Sequence, residues 1–254
     1  MHILVTNDDG ITHPGLLALV QAMQPLGDVT VLAPDTNWSA SGHVKTLHRP
    51  MRVRKTALSD GTPAFTSDGA PSDCVALAVL GYIKEKIDVV VSGINPYGNL
   101  GDDVTYSGTV TAAMEAAISG LPGIAFSLDS PTDFQGVKDF SASAAIAQRV
   151  VREAMQHELP HNTLLNVNIP FLPLEEILGL RVTRLGLRVY RNELVVRDDP
   201  YGRPYYWIGG EAPTGVPEEG TDIGALNDGF VTITPIHLDM TAYALMDELT
   251  SWKW

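Results

Sequence analysis

The stretch "ILVTNDDGI", residues 3–11, joins a short apolar run to two adjacent aspartates and a glycine. The apolar residues are typical of a buried strand, and Asn-Asp-Asp-Gly is typical of a turn. Asp8 and Asp9 therefore lie at the carboxyl end of the first predicted strand. Neighbouring carboxylates resist joint ionisation, and a bound divalent cation removes that repulsion. This stretch alone fits a cation site and an ordinary acidic turn equally well.

Apolar runs of strand length alternate with segments of helical period along the first 170 residues. Examples are "HILVTN" (2–7) before "PGLLALVQAM" (14–23), and "IDVVVSGIN" (87–95) before "SGTVTAAMEAAISG" (107–120). Such alternation predicts βαβ units and a mostly parallel sheet. Strands such as "DVVVSG" contain a continuous apolar run rather than alternating polarity, as expected when helices cover both faces of the sheet. We therefore predict an α/β fold with a three-layer, doubly wound, Rossmann-like sheet.

The sequence changes character after Pro170. Short β-branched and aromatic runs on either side of the turn "DDPYGRP" (198–204) predict an appended antiparallel β-hairpin arm. "GFVTITPI" (229–236) predicts a further strand, and "TAYALMDELTSW" (241–252) a closing C-terminal helix.

Length, charge and cysteine content limit the classes of protein. A chain of 254 residues suffices for one domain, which we predict over residues 1–254, with a core over 1–175 and the arm and C-terminal association elements over about 176–254. Lys and Arg number 17 against 30 Asp and Glu, and the net charge of −13 disfavours a nucleic-acid polymer as partner. No apolar run reaches the roughly 18 residues of a membrane span, and no export signal is visible. A single cysteine, Cys74, fits a reducing compartment, so we expect a cytoplasmic protein without a membrane partner.

Three further loops at predicted strand ends carry hydroxyl, amide and glycine groups. These loops are "APDTNWSASGH" (33–43), "SGINPYGNLGDD" (92–103) and "YSGTVTAAMEAA" (106–117). Ligands of open α/β sheets bind where such loops converge. Ser39 offers a neutral oxygen to a cation, and Ser107 opens a helix whose free N–H groups suit a phosphate. A plain serine N-cap is the alternative for Ser107. Four polar loops at successive strand ends together favour a ligand site.

The motifs of the chain, taken in order, resemble those of the survival protein SurE family. They are "ILVTNDDGI", "APDTNWSASGH", "GAPSDCVALAV", "SGIN", "YSGTV", "LLNVNIP" and "GTDIGALNDGFVTITPIHLDMT". The resemblance covers nearly the whole chain. It implies metal-dependent hydrolysis of nucleoside monophosphates to nucleoside and inorganic phosphate, with a side activity on short polyphosphate. It also implies one Mg²⁺ or Mn²⁺ ion per subunit, and a homodimer or homotetramer that exchanges C-terminal elements.

The same resemblance implies which residues form the site. The implied metal ligands are Asp8, Asp9, Ser39 and Asn95, and the implied catalytic set is Asp8, Asp9, Asn95 and Ser107. The implied phosphate and substrate contacts are Ser39, Gly42, His43, Asn99, Ser107, Gly108 and Thr109. The chain departs from the family pattern at Pro96-Tyr97-Gly98, where the glycine is displaced by one position, so the geometry of this loop stays open.

Three alternative functions make different demands on the same residues. A haloacid-dehalogenase-type phosphatase would place its nucleophile at Asn7, whose amide cannot form an aspartyl-phosphate. A dinucleotide-binding oxidoreductase needs Gly-x-Gly-x-x-Gly at the first turn, which "NDDGITHPG" lacks. A non-catalytic nucleotide sensor stays open, because the same ligands can bind a nucleotide without turnover.

Overall fold

The computed structural model describes residues 1–254, which form eleven strands and six α-helices. The strands are β1 (His2–Thr6), β2 (Asp28–Pro34), β3 (Val53–Ala57), β4 (Pro63–Ser67), β5 (Val89–Asn95), β6 (Gly123–Asp129), β7 (Thr163–Pro170), β8 (Leu180–Val182), β9 (Arg188–Asp198), β10 (Pro204–Gly215) and β11 (Val231–His237). The helices are α1 (Pro14–Met23), α2 (Pro71–Leu77), α3 (Gly108–Ile118), α4 (Ser141–Ala154), α5 (Asp222–Asn227) and α6 (Tyr243–Thr250). Short 3₁₀ segments lie at Gln24–Leu26, Gly101–Thr105 and Leu174–Glu176, and a π-helical turn, Ala78–Tyr82, follows α2.

Nine strands form one mixed, mostly parallel sheet in the order β3-β4-β2-β1-β5-β6-β7-β11-β8. The six strands from β4 to β7 in this order run parallel to one another, whereas β3 and β11 are antiparallel to their neighbours β4 and β7. The predicted doubly wound α/β fold is thus confirmed. Strands β8 and β11 come from the second part of the chain and extend this sheet. The division of the chain near residue 175 stays a prediction.

The predicted hairpin arm is also present. Strands β9 and β10 pair antiparallel and form a separate two-stranded sheet. Most of its side chains are exposed, and α6 has no buried residue. No helix in the structure combines the length and the apolar composition required to cross a lipid bilayer.

Helices cover both faces of the main sheet because consecutive strand residues point to opposite sides. On β1, Ile3 belongs to a cluster of 25 buried residues that includes Leu16 of α1 and Ile146 of α4. The next residue, Leu4, belongs to a second cluster that includes Cys74 of α2 and residues of α3. The apolar runs in the sequence therefore correspond to strands that are buried on two sides.

The topology brings the ends of β1 and β5 together at the centre of the sheet. From β1 the chain moves to β2 on one side, and it later returns to β5 on the other side. The order of strands therefore reverses between β1 and β5, and such a reversal opens a crevice outside the carboxyl ends of the strands. Thr6 is paired with Ser92, so the loops that follow these two strands are neighbours.

We expect Phe126 of β6 to contribute strongly to stability, because it is the largest side chain that is fully buried. Phe126→Ala should lower the free energy of unfolding by about 3–5 kcal/mol, through lost apolar contact and the cavity that remains. Leu80→Ala is the control, because Leu80 is exposed, and it should change stability by less than about 0.5 kcal/mol. Urea unfolding measures both, and equal effects would contradict the described core.

Candidate active site

Asp8 and Asp9 follow β1 directly and enter a tight turn. Asn7 closes this turn, because its Nδ2 donates to the carbonyl oxygen of Gly10 at 3.0 Å. Gly10 has a φ of +98°, a conformation that residues with side chains rarely adopt. The side chain of Asp9 is 7% exposed and Asp8 is 3% exposed. The turn therefore holds two adjacent carboxylates largely away from water.

The surroundings disfavour the charged forms of both carboxylates. Burial raises the pKa of Asp8 above its usual range. Burial, and then the charge of Asp8, raise the pKa of Asp9 to about 7. Asp9 Oδ2 is buried and has no hydrogen-bond partner, and its nearest basic group is His13 Nδ1 at 3.7 Å. Burial lowers the pKa of His13, so this ring is a poor counter-ion. The charge of Lys138 lowers the pKa of Asp9 in part but forms no ion pair with it, so most of the cost of burying the two carboxylates stays uncompensated.

The start of α3 packs directly on Asp8. Thr109 Oγ1 donates to Asp8 Oδ1 at 2.5 Å. Gly108 allows this approach, because a Cβ at this position would lie 2.6 Å from the Cβ of Asp8. Ser107 is the N-cap of the helix, and its Oγ accepts from the backbone N–H of Val110 at 3.1 Å. The N-cap interpretation of Ser107 is correct, and the same side chain also lines the adjacent cleft.

Asn95 is the last residue of β5. Its Nδ2 donates to the carbonyl oxygen of Tyr97 at 2.6 Å, so its Oδ1 is the atom free to accept or to coordinate. In the loop that follows, Gly98 passes close to Asp129 at the end of β6. A Cβ on Gly98 would lie 2.5 Å from Oδ1 of Asp129, so a larger residue at 98 would require the Asp129 side chain to move.

Asn99 is held by a buried network that the sequence did not reveal. Its backbone N–H donates to Asn168 Oδ1 at 2.8 Å, and its carbonyl accepts from Nδ2 of Asn166 and of Asn168 at 2.8 and 3.1 Å. Its own Nδ2 donates to Ser127 Oγ at 2.8 Å. The two asparagines of "LLNVNIP" thus provide the backbone of Asn99 with the hydrogen bonds that a neighbouring strand would otherwise supply. Polar side chains at interior positions of a buried strand were the available sequence signal.

The loop after β2 reaches the site through Ser39. The backbone N–H of the preceding Trp38 donates to the carbonyl oxygen of Asp8 at 2.7 Å, which ties this loop to the first one. Ser39 itself is exposed and lines the cleft. His43 Nε2 lies 2.9 Å from Oε2 of Glu115 on α3, and its contact with substrate stays a prediction.

The cleft beside these loops has a volume of about 620 Å³. Its lining comprises Asp8, Ser39, Ala40, Asn95, Tyr97, Asn99, Asp103, Tyr106, Ser107, Tyr190, Asn192, Ile208 and Pro213. The structure thus brings five of the sequence-predicted residues together on one surface. The other five do not line the cleft: Asp9, Gly42, His43, Gly108 and Thr109.

The hairpin arm also contributes to the cleft, which the sequence did not indicate. Asp103 fixes the arm, because its Oδ1 accepts from Tyr190 Oη and its Oδ2 accepts from Arg188 Nε, each at 2.6 Å. Tyr190, Asn192 and Ile208 of the arm then face the same cleft as Asp8. One aromatic side chain of the arm, Tyr190, therefore stands next to the polar strand ends.

The donor set of this region consists of oxygen atoms. The structure contains no group of three or more His, Cys, Asp or Glu residues arranged for a metal ion. Two carboxylates with neighbouring amide and hydroxyl oxygens nevertheless suit a hard divalent cation, which prefers oxygen ligands. The unpaired Oδ2 of Asp9 and the raised pKa values of both aspartates fit such an ion.

Comparisons with known proteins agree with this architecture. The family model described as "Survival protein SurE" matches residues 3–192. Proteins named "5'-nucleotidase SurE" from Chloroflexus aggregans and Herpetosiphon aurantiacus are 51% and 50% identical to this chain, with 100% of the chain covered and 100% and 99% of the relatives. The crystal structure of the Sure protein from Aquifex aeolicus is 41% identical, with a TM-score of 0.81 and 98% of each chain covered. The chain therefore belongs to the SurE survival protein family.

Proposed function

We propose that this chain is a metal-dependent 5′-nucleotidase, which hydrolyses nucleoside monophosphates to nucleoside and inorganic phosphate. The observation that carries this proposal is the pair of adjacent, largely buried carboxylates at the end of β1, with Asp8 set against the start of α3 beside an open cleft and Asp9 Oδ2 left without a partner. The relatives named 5'-nucleotidase SurE support the same reaction class over the full length of the chain. A side activity on short polyphosphate and a cytoplasmic location stay predictions.

The proposed metal ligands are Asp8, Asp9, Ser39 and Asn95, which would hold one Mg²⁺ or Mn²⁺ ion. Asp9 Oδ2 lacks a partner and Asn95 Oδ1 is free, and both support this assignment. A bound divalent ion supplies Lewis-acid polarisation of a phosphoryl oxygen and a lower pKa for a bound water, a contribution of several kcal/mol. Thr109 orients Asp8 by donating to one of its two oxygens, which leaves the other for coordination.

Ser107 would bind the phosphoryl group at the start of α3. A helix N-terminus has free N–H groups and a positive dipole end, so it favours a dianion. A well-placed donor of this kind is worth roughly 3 kcal/mol in the transition state. Because Thr109 and Gly108 pack against Asp8, we assign them chiefly to the placement of that carboxylate. The proton of the attacking water would pass to Asp8 or Asp9.

Exposed apolar residues support association of several copies. Trp207 and Ile208 of the arm are exposed, as are Tyr243, Met246 and Trp254 near the C-terminus. Large exposed apolar areas mark interfaces more often than free surfaces. We propose a homodimer or homotetramer in which the arm and the C-terminal elements pack against, and exchange with, those of another copy.

Asp8→Asn should lower kcat/KM for adenosine monophosphate by at least about 100-fold, because it removes a charged ligand at the centre of the site. Phosphate release over a range of Mn²⁺ concentrations is the measurement. Asp102→Asn is the matched control, since Asp102 is an exposed acid near the same cleft, and it should keep the wild-type rate. An Asp8→Asn protein with the wild-type rate and metal dependence would contradict the metal assignment.

Removal of divalent ions should abolish phosphate release and leave the fold intact. We expect treatment with a chelator to stop hydrolysis, and added Mg²⁺ or Mn²⁺ to restore it, while the circular dichroism spectrum stays unchanged.

A panel of nucleotides, measured with and without metal, distinguishes an enzyme from a protein that only binds nucleotides. Tight nucleotide binding without phosphate release under any metal would favour the sensor.

Ser107→Ala should lower kcat/KM by about 100-fold, because the cleft loses a donor to the phosphoryl oxygens. The substitution also removes an N-cap and should cost about 1 kcal/mol of stability. Thr221→Ala is the control, since Thr221 caps α5 in the same way and its Oγ1 accepts from Gly224 N at 3.0 Å. It should lose similar stability and keep its activity. Unchanged kcat/KM and unchanged inhibition by phosphate in Ser107→Ala would remove Ser107 from the site.

A further inference from the structure

Glu115 is a buried carboxylate on α3 that the proposed reaction does not use. It is only 4% exposed, and it lies about two helical turns beyond the N-cap Ser107. Both of its oxygens are paired with side chains of one loop. Oε2 lies 2.9 Å from Nε2 of His43, and Oε1 accepts from Nζ of Lys45 at 2.8 Å. The hydrogen bond with His43 holds the pKa of Glu115 below its usual range, so the carboxylate is charged at neutral pH.

The same loop makes two more contacts with α3 and its first turn. The backbone N–H of Gly42 donates to the carbonyl oxygen of Tyr106 at 2.9 Å. The carbonyl of Gly42 accepts from Thr111 Oγ1 at 3.1 Å. Thr111 and Glu115 are four residues apart, so they lie on one face of the helix. Residues 42–45 therefore run along α3 from its start.

Helix α2 holds the far end of this loop. Asp73 is fully buried and accepts from the backbone N–H and the Oγ1 of Thr46, at 2.9 and 2.6 Å. Ser72 Oγ donates to the carbonyl oxygen of Val44. The segment 42–46 is thus fastened to two helices, and Ser39 lies only three residues before it. Ser39 is itself exposed, so its location depends on how firmly this segment is held and, on its other side, on the hydrogen bond from the backbone of Trp38 to Asp8.

We propose that Glu115 is a positioning residue that fastens the loop 36–45 to α3 and so sets the place of Ser39 relative to Asp8 and Ser107. This role rests on the proposed function in one respect, namely that Ser39 contributes to the metal site. In this arrangement His43 and Lys45 are the two loop residues through which Glu115 holds the loop. Helix α3 then serves both halves of the site, because its start holds Asp8 and its side holds the Ser39 loop.

Amide hydrogen exchange in the metal-free protein tests directly whether Glu115 holds the loop 36–45 against α3. Glu115→Gln removes the negative charge that pairs with Lys45 and leaves one oxygen acceptor instead of two, and Lys45→Met removes one donor from a side chain that is half exposed. We expect peptides covering residues 36–46 to exchange about tenfold faster in Glu115→Gln and less so in Lys45→Met, because local opening becomes easier. Glu153→Gln is the matched control: this exposed glutamate of α4 pairs with His157 at 3.3 Å, and its loss should leave the loop unchanged.

The Mn²⁺ concentration that the enzyme requires tests whether Glu115 affects the proposed metal site through Ser39. Residues that orient ligands typically change metal affinity by about 10–100-fold when they are replaced. We therefore expect the half-saturating Mn²⁺ concentration of Glu115→Gln to rise about tenfold, while kcat at saturating Mn²⁺ falls by less than about threefold. A residue that only stabilised the fold would leave the half-saturating concentration unchanged.

Each result supports or overturns the role of Glu115. Unchanged exchange over residues 36–46 in both variants would overturn it, and so would faster exchange with an unchanged Mn²⁺ requirement. Faster exchange throughout α3 and α4 would also overturn it, because that pattern marks a general loss of stability. If Glu115→Gln does not fold, Lys45→Met decides the question. If the wild-type protein releases no phosphate, the proposed function fails, while the exchange measurement still decides whether Glu115 holds the loop.

Discussion

The burial of two adjacent carboxylates at the end of β1, with Asp8 packed against the start of α3, is the constraint around which this region is organised. Asp8 receives a hydroxyl donor from Thr109, whereas Oδ2 of Asp9 receives none. The raised pKa values of both groups express the cost of holding negative charge there. A chain rarely leaves such groups uncompensated, because a buried unpaired carboxylate is expensive. The proposed cation would supply the missing positive charge, and as its ligands the two carboxylates would take part in catalysis.

The polar residues of the cleft lie on loops, but their positions are set by anchors inside the fold. Asn166 and Asn168 of β7 hold the backbone of Asn99, and Asp103 holds the arm through Arg188 and Tyr190. Hydrogen bonds to buried groups define a loop more closely than contacts with water can, because the partners cannot be replaced by solvent. The lining of the cleft is therefore held by strands and helices of the fold, which suits a site that must hold its donors ready before substrate binds.

Much of the fold could be predicted from the sequence because its signal is local. The continuous apolar run within "DVVVSG", for example, corresponds to β5, which is buried on both faces of the sheet. The turn "DDPYGRP" likewise marks the hairpin between β9 and β10. The addition of β8 and β11 to the main sheet was less accessible, since strand pairing between distant segments depends on the register of whole elements rather than on any short pattern.

For the candidate site, the sequence by itself determined which chemical groups lie at or beyond the strand ends: the carboxylates of Asp8 and Asp9, the amide of Asn95 and the hydroxyl of Ser107. The loops of Asn95 and Ser107, expected at separate strand ends, both belong to the connection after β5. Parallel strands end at one edge of a sheet, so a shared edge followed from periodicity, whereas the strand order placed β1 beside β5. Only the tertiary structure decided that His43 pairs with Glu115, that Asn166 and Asn168 secure a neighbouring loop, and that the arm completes the cleft. These contacts join residues about 70 or more positions apart. Their geometry arises from the packing of helices and strands, which no local stretch of sequence encodes.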